Sequence, residues 1–146
     1  MSKIPPPLEE TEQKTVVQWL RIKKILHFAP MNENKQSSSN RQQAIRIEAK
    51  AKAMGKSNGV PDLFIPIANK YYHGLFIEMK RRPKTLKSGK KSYSGIATSK
   101  DQETWIQELR QQNYEALVCY GADEAIEAIE AYMNNDMPYE EWKEIR

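Results

Sequence analysis

The sequence predicts an α/β fold. Three apolar runs of strand length, at 63–67, 75–79 and 115–120, alternate with longer stretches whose apolar residues recur at helical spacing. The first two runs are rich in Phe, Ile and Leu and are separated by Ala-Asn-Lys-Tyr-Tyr-His-Gly, a polar connector with Asn69 and Gly74 near its ends, which reads as strand, turn, strand. Ser99, followed three residues later by Gln102, is a capping-box signature that starts a helix over 100–113.

Taken in order, Pro5, Pro6 and Pro7 form an extended lead-in, and 8–26 reads as a first helix with Val16, Trp19, Leu20 and, less regularly, Lys23 on one stripe. Glu12 projects from that inward stripe one turn before Val16, a costly place for a charge without a partner. The acids Glu9, Glu10 and Glu12 also complement the positive end of the helix. Residues 31–40, with Glu33 among them, are polar after Met31 and read as a loop. A basic amphipathic helix follows over 43–56, with Ala44, Ile47, Ala51 and Met54 on one face, ending at Gly55 or Gly59. After the strand pair, 81–95 has no apolar period and contains Gly89 and Gly95, so it reads as a flexible basic loop. In the helix over 100–113, Gln102 shares a stripe with Trp105, Ile106 and Leu109 and faces the sheet. The run 115–120 is the last core strand, Gly121 turns the chain, and 122–133 is a helix with Ala125, Ile126, Ile129 and Met133 inward. Tyr139 and Trp142 mark a short acidic helix in an extension, 135–146, beyond a core of about 8–134.

At 146 residues the chain reads as one domain, able to bury roughly two-thirds of its unfolded surface. Its single cysteine, Cys119, excludes an internal disulfide framework and a cysteine zinc site, and lies in an apolar run as a buried thiol. No stretch has the length and apolarity of a bilayer span, and the first residues lack a signal-peptide core, so a cytoplasmic protein is expected. His27 and His73 are too far apart to suggest a chelating pair. The net charge of +4 is modest, but its distribution is not. Arg41, Arg46, Lys50, Lys52 and Lys56 stand against one acid, and Lys80, Arg81, Arg82, Lys84, Lys87, Lys90 and Lys91 against none, while the last third is acidic. The two basic segments flank the strand pair, as a surface meeting phosphates requires.

The chemistry centres on Asp62, in Gly-Val-Pro-Asp-Leu, and on Glu78 and Lys80, in Ile-Glu-Met-Lys. An antiparallel hairpin centred near Lys70 and Tyr71 pairs residues whose numbers sum to about 141, so Asp62 falls opposite the 78–80 stretch. Alternation turns Glu78 and Lys80 to one face and Met79 to the other. Two carboxylates beside apolar strands need a neutralising partner, and hard oxygen ligands with open positions suit Mg²⁺ or Mn²⁺. Such an ion with Lys80 beside it is equipped for phosphodiester hydrolysis. Without a metal, the same residues reduce to a turn aspartate and an exposed i, i+2 pair on a half-wet sheet.

With Gly-Val-Pro-Asp-Leu, Ile-Glu-Met-Lys and the segment from Ser99 to Trp105, the chain resembles the PD-(D/E)xK nucleases and, within them, the virus-type replication-repair nuclease (VRR-NUC) domain in its stand-alone phage and bacterial form. The resemblance implies a restriction-endonuclease-like core of helix, three strands, helix and strand, with a central mixed β-sheet flanked by helices. It implies a metal site of Glu12, with Glu9 as the alternative, Asp62, Glu78 and the Met79 carbonyl, assisted by Lys80 and Gln102, with Ser99 nearby. It also implies a structure-selective DNA endonuclease using Mg²⁺ or Mn²⁺, acting on branched DNA, four-way (Holliday) junctions above all, as a homodimer. Tyr93 is then placed to stack on an unpaired base, and the basic residues of 41–56 and 81–91 to hold the backbone. The competing readings are a non-catalytic module binding branched nucleic acid and a nuclease for flaps or splayed arms. A sequence-specific restriction enzyme would need a recognition domain, and none is visible.

Overall fold

The computed structural model describes residues 4–30, 40–136 and 143–146. The described residues form helices α1 (Glu9–Ile22), α2 (Arg41–Ala53), α3 (Lys100–Gln111) and α4 (Ala122–Met133), and strands β1 (Leu63–Ile65), β2 (Leu75–Lys80), β3 (Lys84–Thr85), β4 (Lys91–Ser92) and β5 (Glu115–Tyr120). Glu33, Tyr139 and Trp142 lie outside the described residues.

The central sheet has the order β1-β2-β5, with β1 antiparallel and β5 parallel to β2, so it is mixed as expected. Side-chain alternation divides its two faces. Leu63, Ile65, Leu75, Ile77, Met79, Leu117 and Cys119 pack with Val16 and Leu20 of α1 and Ala125 and Ile129 of α4. On the other face Phe76, Ala116, Val118 and Tyr120 pack against Ile106 and Leu109 of α3. The result is a helix–sheet–helix sandwich in which the even-numbered residues of β2 face α3.

The expected helix limits shorten where the backbone turns over. α1 stops at Ile22 because Lys24 takes a left-handed φ of 56°, and α3 stops at Gln111 ahead of Asn113 at φ 64°. α2 starts earlier than predicted, at Arg41, because the Asn40 side chain accepts hydrogen bonds from the Gln42 and Gln43 amides. It buries no residue, and Ile45 and Met54 are exposed. β1 is shorter than the apolar run, since Pro66 ends the ladder.

The segment after Lys80 departs from expectation. It is not a featureless loop: β3 and β4 pair antiparallel as a separate two-stranded ribbon, Lys84 opposite Ser92 and Thr85 opposite Lys91. The third strand implied for the core is therefore absent from the central sheet among the described residues, whose free edge carries only an isolated bridge between Phe28 and Phe64. Cys119 is buried and burial pushes its thiol pKa up, which leaves it unreactive. Among the described residues no helix is long and apolar enough to cross a membrane.

Candidate active site

The hairpin register pairs Leu63 with Ile77, so one step further along it Asp62 stands beside Glu78. Glu78 belongs to the face that looks toward α3, and Asp62, just before β1, also borders the groove along α1. Asp62 Oδ2 accepts a 2.8 Å hydrogen bond from the Met79 amide, which fixes the aspartate past the end of β1. In an extended strand the N–H and C=O of one residue point to the same edge, so the Met79 carbonyl is directed to the Asp62 side of β2.

Glu78 is 2% exposed, and its Oε2 is buried without a hydrogen-bond partner. Its other oxygen, Oε1, accepts from Gln102 Nε2 at 2.7 Å and lies 3.8 Å from Lys80 Nζ. Burial first, then the Asp62 carboxylate within hydrogen-bonding reach, push the Glu78 pKa up to about 9 against the opposing pull of Lys80. A buried acid and a buried ammonium thus sit beside the half-buried Asp62, and no donor faces Glu78 Oε2.

Gln102 carries two roles at once. Its Oε1 accepts from the Ser99 amide at 3.0 Å while its own amide donates to Ser99 Oγ at 3.2 Å, a complete capping box. The same Oε1 accepts from Lys80 Nζ at 2.9 Å, and Nε2 reaches Glu78. Helix start and acid–lysine pair are therefore held by one side chain, so the local and the catalytic reading of Ser99 and Gln102 are compatible. Gly59 makes this approach possible: at φ 86° it lies so close to α3 that a Cβ there would sit 2.5 Å from the Asp101 carbonyl carbon and 2.7 Å from the Gln102 nitrogen.

Glu12 is held by partners of its own. It is buried, as its place on the inward stripe predicts, but its partner lies elsewhere. Glu12 Oε2 accepts from the Ala122 amide at 2.8 Å, the first residue of α4, and from Arg82 Nε at 3.0 Å. A carboxylate at a helix N-terminus with a guanidinium beside it is satisfied without a metal. The helix-borne acid whose charge acts on Glu78 is Glu9, one turn earlier, which also lines a groove of about 800 Å³ running along α1 to Asp62 and Arg81. Among the described residues no three carboxylate, imidazole or thiol side chains converge tightly enough to cage an ion by themselves. What converges is Asp62, Glu78 and the Met79 peptide.

The basic residues divide into committed and open ones. Lys56 folds back on Glu48 at 2.8 Å, Arg82 bonds Glu12 and lies 3.3 Å from Asp123, and Arg81 donates to the Pro6 and Pro7 carbonyls. Arg41, Arg46, Lys50 and Lys52 on α2, and Lys84, Lys87, Lys90 and Lys91 on the ribbon, are exposed. Tyr93 is half-buried: its ring meets Tyr120 edge-on at 4.9 Å and lies under the Arg146 guanidinium at 4.8 Å. The histidines hold structural places, His27 Nδ1 on the Ile25 carbonyl at 2.7 Å and His73 against the Tyr114 ring.

A mixed sheet between helices, with Glu78 and Lys80 on the central strand and Asp62 at the start of its antiparallel neighbour, puts the chain in the restriction-endonuclease-like class. The VRR-NUC domain family model matches residues 8–123. A solved structure described as a "VRR_NUC domain protein" is 26% identical, with a TM-score of 0.63, over 91% of this chain and 93% of that one. No curated protein matches. The chain belongs to the VRR-NUC family, and is thereby a nuclease-type domain acting on DNA.

Proposed function

We propose that this chain is a divalent-metal-dependent endonuclease that hydrolyses phosphodiester bonds in branched DNA, four-way junctions foremost, as a homodimer. The observation that carries the reading is Glu78: a buried carboxyl with an orphaned oxygen, pressed against a second carboxylate, is an unfavourable arrangement that a cation relieves. The donor set of Asp62, Glu78 and the Met79 carbonyl is all hard oxygen, which fits Mg²⁺ or Mn²⁺, and Glu9 adds negative charge from α1. When bound, such an ion supplies positive charge that polarises a phosphoryl oxygen and lowers the pKa of an attacking water.

The chain's own residues do the rest. Lys80, held by Gln102, carries the ammonium that steadies charge developing on the phosphoryl oxygens. Gln102 keeps Lys80 and Glu78 in register, and its amide is the hydrogen-bonding group nearest them for orienting water. The exposed lysines of the ribbon follow β2 directly, so they meet the backbone next to the site, and the α2 cations extend that surface.

The test is incubation with Mg²⁺ or Mn²⁺ and a panel of linear, flap, splayed and four-way DNAs, with the mass in solution measured in parallel. Paired symmetric nicks in four-way junctions by a dimer, lost in Glu78→Ala with binding retained, are expected. Binding with no metal-dependent cutting of any substrate overturns the enzyme and leaves a DNA-binding module. Preferential cutting of flaps by a monomer overturns the junction assignment alone.

A further inference from the structure

We infer that residues 143–146, which lie outside the stretch matched by the family, form a strap along α3 that positions Gln102, with Arg146 as a positioning residue for the reaction proposed above. The strap is fastened at both ends of α3. At the far end Arg110 Nη2, which also holds the Ala116 carbonyl of β5, donates to the Lys143 carbonyl at 3.0 Å. At the near end the Thr98 amide donates to the Arg146 carbonyl at 2.7 Å, one residue ahead of the Ser99 cap. Between them Ile145 packs on the cluster of Ile106, Val118 and Tyr120.

The Arg146 side chain closes the same corner from above. Its guanidinium lies 4.8 Å from the Tyr93 ring centre and 5.9 Å from that of Tyr120, the last residue of β5. Tyr93 follows β4, so Arg146 ties the base of the basic ribbon, the end of the central sheet and the entry to α3 together. The entry to α3 is where the site is set. Ser99 fixes Gln102 through the reciprocal cap, and Gln102 in turn holds Lys80 at 2.9 Å and Glu78 at 2.7 Å. A loosened 93–99 segment transmits its displacement to those two bonds, and a misplacement of about 1 Å in a catalytic constellation costs up to about a hundredfold in rate.

The experiment is a double-mutant cycle between Arg146 and Gln102, read in single-turnover cutting of the preferred branched DNA and in amide hydrogen exchange. Arg146→Ala is expected to lower the cutting rate about tenfold with KM for DNA unchanged, Arg146→Lys to recover part of it by restoring a cation over the rings, and Arg146→Ala to do nothing further in a Gln102→Ala background. Amides of Thr98 to Gln102 exchange faster in Arg146→Ala at unchanged Tm. An equal loss in both backgrounds, or a raised KM at constant rate, overturns the strap, the latter making Arg146 a DNA contact. The exchange readout needs no catalysis: if the wild-type chain does not cut DNA but the amides respond, the nuclease reading fails and the strap stands.

Discussion

Glu78→Gln separates the destabilising burial of the acid from its use in catalysis. In the metal-free protein, burial and the Asp62 carboxylate raise the Glu78 pKa from 4.5 to about 9, so at neutral pH the folded chain keeps a proton that the unfolded chain releases. The folded state binds the extra proton, so stability is full below about pH 4.5, falls as pH rises, and levels off once pH passes about 9. Each pH unit above the unfolded value costs about 1.4 kcal/mol, which gives about 3 kcal/mol at pH 7 and under about 1 kcal/mol at about pH 5. Glutamine keeps a carbonyl to accept the 2.7 Å bond from Gln102 and cannot ionise. Urea and thermal melts in a chelating buffer should show the variant more stable by up to about 3 kcal/mol at pH 7, about 10 °C in Tm for a chain of this size, with the gap closing toward about pH 5. The same variant should not cut DNA, and added Mn²⁺ should raise the Tm of wild type alone. A gap independent of pH, or a wild type that gains on the variant as pH rises, refutes the reasoning.

Other substitutions divide the acids and cations by role. Glu9→Ala should abolish most cutting at nearly unchanged Tm, whereas Glu12→Ala should cost about 2 kcal/mol in urea melts by stranding the buried Ala122 amide and Arg82; the opposite pattern returns Glu12 to the metal. Gly59→Ala forces a Cβ to 2.5 Å from the Asp101 backbone at a left-handed φ and should lower both stability, by more than about 1 kcal/mol, and cutting; an active, stable variant would show that the contact with α3 is dispensable. Reversing Lys84, Lys87, Lys90 and Lys91 to Glu should weaken DNA binding and flatten its salt dependence, measured by anisotropy titrations across ionic strength, while leaving stability in urea melts within about 1 kcal/mol; an unchanged salt slope would place the phosphates elsewhere.

Glu12 and Glu9 show what the sequence makes legible and what it does not. Periodicity places Glu12 on the inward stripe of α1 and says that it needs a partner, and it is buried. The identity of that partner is a tertiary fact: it depends on where the start of α4 arrives, 110 residues away in sequence, and on Arg82 leaving β2 on the same side. Hairpin register is legible because it needs only local pairing. A sum of 140 in Leu63 with Ile77 brings Asp62 to Glu78, and alternation turns Glu78 toward α3. The capping box is legible for the same reason, and it carries Gln102 into the site along with the helix start.

The ribbon of β3 and β4 marks the opposite case. Its strands have two residues each and no buried side chain, so no hydrophobic period announces them. Backbone pairing alone turns a run of lysines into a defined arm. Its base is then fixed by Tyr93 against Tyr120 and Arg146. The arm begins four residues after Lys80, so whatever orients it also bears on the strand end that carries Glu78 and Lys80. A cation lodged between Asp62 and Glu78 removes the repulsion that disfavours the buried carboxylate, and Lys80 is then released from part of that task to act on substrate charge. Binding of the ion and readiness of the lysine are in this way one electrostatic event, which predicts that Lys80→Met weakens cutting far more than it weakens Mn²⁺ binding in a calorimetric titration. Equal losses in both would make Lys80 a partner of the acids only.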